Sequence, residues 1–198
     1  MLKFILFLIL NYILSLNIYA QNSLNEIIQQ ADNLVSEGKS KKAIEILNSI
    51  EHNCYTTNEI QIIVSFNFVK AMAFNSRGEC NAALHNFKEV IKYDIGILFL
   101  RAIERIGAIY LYNFEDKISA IKYLQKGIIR YNEIVQLSLL EFDNSEIECV
   151  AQISYMLGSA YALNGNKELA KDCYNLLASL KCTNRSELMS ELKKLLSN

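Results

Sequence analysis

From residue 24 to the C-terminus, apolar side chains recur at helical spacing, and strand signals are missing. The clearest stretch is Leu157–Tyr174. Its Gly158, Tyr161, Gly165, Ala170 and Tyr174 stand where two short helices packed antiparallel across a tight turn would need them. Small residues let the helices approach, aromatics fill the seam, and Gly165 turns the corner. Weaker copies lie upstream, each with an alanine five positions after the turn, at Ala43, Ala83 and Ala120. The first pair is predicted from about Leu24 to Ser36 and from Lys41 to Glu51 around Gly38, with Ile27, Ala31, Leu34, Ala43, Leu47 and Ile50 inward. The second climbs from Glu59 to Ser76, turns at Arg77-Gly78 and descends to Tyr93, with Ala71, Phe74, Ala83, Phe87 and Val90 repeating the pattern. The third spans Phe99 to Tyr112 and Lys117 to Leu139, with Ala108, Leu111, Ala120 and Leu124 in the corresponding places. The fourth spans Ile147 to Leu163 and Lys167 to Leu180. A last amphipathic helix, Asn184 to Leu196, carries Leu188, Leu192 and Leu195 on one face and Glu187, Glu191 and Lys194 on another. Ser23–Glu26, Thr56–Glu59 and Ser145–Glu148 each set a hydroxyl three residues before a glutamate, the spacing of a reciprocal helix N-cap. The expected fold class is all-α.

These marks resemble the tetratricopeptide repeat family over about Leu24 to Lys181, most closely at Leu157, Gly158, Tyr161, Gly165, Ala170 and Tyr174. Ala31, Leu34, Gly38, Ala43 and Leu47 match in the first pair, and Ala71, Phe74, Gly78, Ala83 and Phe87 in the second. The third matches least, because Glu115 stands where the turn glycine belongs. The resemblance implies a right-handed superhelix of about four helix-turn-helix hairpins over residues 21–183, with residues 184–198 as a C-terminal capping helix. The family repeats about every 34 residues. Here Ala43, Ala83, Ala120 and Ala170 are 40, 37 and 50 apart, and proline is absent. Most of the extra residues fall between Ile128 and Ile147, where a longer helix or an excursion loop is expected.

In proteins of this resemblance the first helix of each hairpin lines a concave groove that holds a partner segment. Helical phase then directs Phe68, Met72, Asn75, Arg105, Ile109, Tyr112, Tyr155 and Ser159 toward that groove. Arg105 would pair with a partner carboxylate, flanked by Tyr112 and Tyr155. The family's chaperone-binding members grip a terminal carboxylate with lysine and asparagine. The matching places here hold Ile28, Asp32, Phe68 and Met72, so that clamp is absent.

The N-terminus changes the picture of where the chain works. Lys3, the apolar run Phe4–Leu10 and the small Ala20 fit a signal peptide over residues 1–20, cleaved before Gln21. Ile18 is bulkier than such a site prefers, and an uncleaved N-terminal anchor is the alternative. Export to a periplasm or the exterior is expected, with no membrane insertion of the mature chain. Cleavage would remove one of 20 basic residues, leaving 19 against 21 acidic. So near-neutral a chain, without a basic block, gives no support to nucleic-acid binding.

Chemistry is sparse. The five cysteines, 54, 80, 149, 173 and 182, are odd in number. Cys149 and Cys182 lie 16 and 17 residues either side of Gly165, so antiparallel helices would bring them together. They read either as a disulfide, which an exported protein can form, or as two small buried side chains. His52 and His85 fall in different hairpins, and no metal, phosphate-loop or nucleophile motif occurs. Catalytic residues, metal and cofactor are therefore expected to be none. The expected function is that of a non-enzymatic scaffold binding a protein or peptide, with a homo-oligomer allowed. The alternatives are a structural part of an envelope or secretion assembly, and a detached periplasmic sensor module.

Overall fold

The computed structural model describes residues 23–57, 59–137 and 142–197. The segment expected as a signal peptide lies outside them. The described residues form helices and turns, with no strand among them. They run as α1 (residues 23–36), α2 (Ser40–Thr56), α3 (Ile60–Ser76), α4 (Cys80–Val90), α5 (Gly96–Ala108), α6 (Lys117–Leu137), α7 (Asn144–Leu163), α8 (Lys167–Ser179) and α9 (Arg185–Ser197). A π-helical turn, Ile109–Asn113, extends α5. Among the described residues no helix is long and apolar enough to cross a membrane. The chain divides into two compact units between Asn86 and Phe87.

The first unit closes on α3, whose side chains are apolar on nearly every face. Ile62, Phe66, Val69 and Ala73 join Ala31, Leu34, Ala43 and Leu47 in one buried cluster with α1 and α2. Such a helix must be covered on most sides, and α2 packs along it. Four polar side chains line that contact. Tyr55 donates to Asn67 Oδ1 at 2.9 Å, Asn67 Nδ2 donates to the Ile63 carbonyl at 2.8 Å, and Lys70 Nζ meets Glu51 Oε1 at 2.9 Å. Each buried polar atom is thereby satisfied, as burial requires.

In the second unit α7 is the central helix, packed against α5, α6, α8 and α9. Val150, Ala151, Ile153, Met156, Leu157 and Ala160 are buried around its circumference. Gly158 leaves room for α9, because a Cβ there would lie 2.8 Å from Leu192 Cδ2 and 3.1 Å from Cys173 Cβ. Leu192 is consequently fully buried, a contribution of about 2 kcal/mol. Leu188 is buried too. Leu196, rather than the expected Leu195, is the third α9 leucine packed on this core.

Three of the four turns share one local geometry, and the fourth is a variant of it. Gly38, Gly78 and Gly165 take φ of 75°, 75° and 81°, and the next residue's N–H returns to the carbonyl of Leu34, Phe74 and Tyr161. That wrap satisfies a carbonyl the helix end would leave unpaired. The alanine five residues on is fully buried in every case, at Ala43, Ala83, Ala120 and Ala170. Glu115 performs the same turn at φ 54° without being glycine. There, however, Asp116 N–H reaches back six residues to the Tyr110 carbonyl, because the π turn (Phe114 N–H to Ile109 O, 3.1 Å) holds one extra residue. The expected register of the third hairpin is corrected accordingly. Gly107 and Tyr110, not Ala108 and Leu111, are the equivalents of Gly158 and Tyr161.

The helix starts need two further corrections. α7 is capped by Asp143 and Glu146, each side chain accepting from the other's N–H, instead of by Ser145 and Glu148. Thr56 ends α2, its hydroxyl bonded to the Asn53 carbonyl, and does not cap α3. A left-handed backbone costs an L-residue about 1–2 kcal/mol. Glu115→Gly is therefore expected to stabilise the chain by a net of about 0.5–1 kcal/mol after glycine's larger unfolded-state entropy is deducted, read as a higher thermal midpoint. A lower midpoint would contradict the strain assigned to this turn.

Candidate functional site

The surface-facing sides of α5, α7 and α9 form the most chemically varied surface of the second unit. Arg101, Arg105 and Tyr112 follow one another along α5 and its π turn, and Gln152 and Tyr155 along α7. At one end an open cleft of about 400 Å³ is lined by Arg101, Glu104, Cys149, Gln152 and Thr183, among others. Arg101 Nη2 donates to Ser145 Oγ at 2.8 Å, which draws that hydroxyl away from the capping role. Glu148 accepts from the Thr183 N–H at 2.5 Å, tying the start of α7 to the segment after α8. Arg105 is half-buried and forms no ion pair among the described residues.

At the other end stand two tyrosines. Tyr155 donates to Glu191 Oε2 at 2.7 Å. Tyr112 is 58% exposed. Partial desolvation, then the neighbouring Glu191 carboxylate, raise its pKa, while the Tyr155 hydroxyl beside it works in the opposite direction. Tyr155 is likewise pushed up, first by burial and then by its bond to Glu191. Both phenols therefore stay protonated, with Tyr155 donating to Glu191 and Tyr112 presenting its ring.

Of the eight residues expected along a groove, the structure brings Tyr112 and Tyr155 together. Arg105 lies toward the cleft, where its charge acts on the Cys149 thiol. Ile109 and Ser159 are buried instead of surface-facing, and Ser159 Oγ is bonded to the Tyr155 carbonyl at 2.9 Å. They support the surface from beneath. Phe68, Met72 and Asn75 belong to the first unit, where all three are half-buried along α3. Glu191 was expected only as part of a solvated face. Its exposure fits that, but its bond across 36 residues to Tyr155 carries no local sequence signal.

The five cysteines are free thiols. The ends of α7 and α8 do meet, through Glu148 and Thr183, yet Cys149 Sγ points to Glu104 Oε2 at 3.7 Å. Burial, reinforced by Glu104, drives the Cys149 pKa up. Burial also lifts Cys54 to about 11, helped by Glu51, and Cys173 to about 12, helped by Asp172. Held as neutral thiols, these three are poor nucleophiles and poor metal ligands. Among the described residues no group of three or more His, Cys, Asp or Glu is placed to hold a metal ion, and His52 and His85 are exposed.

Compared with known proteins, the chain matches no family model, no curated protein and no solved structure.

Proposed function

We propose that the chain is a non-enzymatic interaction scaffold built of four tetratricopeptide-like hairpins, and that it binds a protein segment along the first helices of the second unit. The carrying observation is the repeated turn. A left-handed residue, a carbonyl wrap and a fully buried alanine five positions later recur four times, even where the glycine is missing and the register shifts by one. Repeats of this kind bury their apolar faces on one another and leave one side of each hairpin for partners. The contacts of α7 with both α5 and α9 support such stacking in the second unit. In this reading Met1–Ala20 directs export, α9 covers the last hairpin, and Arg105, Tyr112 and Tyr155 are the anchors, the residue types that dominate interface energies.

A photo-reactive side chain at position 112 should capture the native partner in the host. Arg105→Ala with Tyr155→Ala should then lower the affinity for that partner roughly thirtyfold, at about 1 kcal/mol for each anchor, with little change in melting temperature. Unchanged affinity in the double variant would remove this surface as the binding site.

A further inference from the structure

The tyrosines of the second unit show how this chain handles a cation. Lys88 Nζ donates to Tyr110 at 2.9 Å and lies 5.4 Å from the ring centres of both Tyr110 and Tyr123. Those rings stack 5.6 Å apart and nearly parallel. The ammonium thus has a phenol oxygen at hydrogen-bond distance and two aromatic rings close by, a mixed polar and aromatic surrounding for a cation.

Tyr112, Tyr155 and Glu191 offer a related set of groups with a carboxylate added. Tyr155 is bonded to one carboxylate oxygen, Glu191 Oε2, at 2.7 Å. Glu191 is exposed, and no described lysine or arginine pairs with it. Tyr112 projects from the π turn, where the extra residue alters which way the α5 terminus presents its side chains. Its ring is the largest exposed aromatic surface beside that carboxylate. α9 thereby does more than cover α8. It brings a negative charge to a surface whose α5 and α7 members supply rings.

We infer that Tyr112, Tyr155 and Glu191 form a receptor for a lysine or arginine side chain of the bound segment. The inference rests on the proposed groove and deepens it, assigning a cation to this end where sequence reasoning alone had placed a carboxylate near Arg105. A segment that satisfies both ends carries a basic residue at the tyrosines and an acidic group toward Arg105.

The test uses blocked tetralysine and blocked tetraglutamate as probes of the full chain, followed by calorimetry and by the ring-proton shifts of the tyrosines at low salt. Tetralysine is expected to bind and to shift Tyr112 and Tyr155. Glu191→Gln and Tyr112→Ala should each weaken it about fivefold, within the range of one cation–ring or one exposed charge contact. Glu45→Gln, an exposed acid on α2 of the first unit, should leave it unchanged. Equal binding by wild type and Glu191→Gln would overturn the receptor and indicate diffuse attraction to an acidic surface. So would no tetralysine binding. Tetraglutamate bound through Arg105 in preference to tetralysine would remove the cation receptor yet keep the groove. Failure of the groove itself is read separately, from the partner's affinity for the Arg105 and Tyr155 double variant.

Discussion

Gly107→Val is expected to destabilise the second unit by about 3 kcal/mol, at the upper end of what overpacking costs. A Cβ at this position would lie 2.3 Å from Leu124 Cδ2 and 2.5 Å from Leu124 Cγ, far inside any non-bonded carbon contact. Leu124 has nowhere to retreat, since it is fully buried in the cluster with Leu100, Ile103, Ile153 and Leu157. Replacing glycine inside a helix ordinarily gains something near 1 kcal/mol, so the net loss measures how closely α5 and α6 approach. Leu124→Ala alone should cost about 3 kcal/mol through the cavity it leaves. The double variant should lose clearly less than the two singles combined, by about 1 kcal/mol or more, because the valine fills space the leucine vacates. Urea unfolding of the four proteins provides the cycle. Additive losses would show that Gly107 does not meet Leu124, and would return the third hairpin to the register in which Ala108 is the small contact residue.

That register shows where sequence reasoning succeeds and where it stops. Gly38, Gly78 and Gly165 were legible as turns because a left-handed backbone strongly selects glycine, and the buried alanines five residues on follow from the same geometry. In the third hairpin Glu115 accepts the left-handed conformation and a π turn inserts one residue. Counting back from the turn assumes a constant helical step, so one wider hydrogen-bonded turn displaces the assignments before it, Ala108 and Leu111, by one, while Ala120 after it holds. The helix caps failed for a different reason. Asp143–Glu146 and Ser145–Glu148 are equally spaced, and tertiary partners decided between them. Arg101 takes the Ser145 hydroxyl and Thr183 takes the Glu148 carboxylate. The candidate surface divides along the same line. Arg105 and Tyr155 follow from helix phase, whereas Tyr112 sits in the π turn that breaks that phase and Glu191 arrives through the docking of α9. Ile109 and Ser159 share that phase but are covered by neighbouring helices.

Charge reversal at Lys70 is expected to have the largest effect in the first unit. The Lys70 side chain is only 8% exposed and Glu51, 2.9 Å away, is its sole acidic partner among the described residues. The aliphatic stem packs inside while the ammonium also lies 5.2 Å from the centre of the Phe66 ring. Lys70→Glu would set two carboxylates against each other at a site with little water, for a loss of about 3 kcal/mol. That is the lower end of the range for an uncompensated buried charge, because Glu51 keeps 45% of its side-chain surface in solvent. Lys70→Met should be nearly neutral, within about 1 kcal/mol, since it keeps the volume and leaves Glu51 free to turn toward water. Glu51→Gln falls between them at about 1 kcal/mol, removing the counter-charge while retaining an oxygen for the ammonium. The ordering of the three under thermal unfolding carries the argument. If methionine and glutamate at position 70 cost the same, packing alone holds α2 on α3 and the ion pair is incidental. If methionine is mild and glutamate severe, the Lys70 charge sets which face of α3 meets α2. The reversal should then also loosen the Tyr55–Asn67 bond one turn away, seen as faster exchange of the Asn67 side-chain amide.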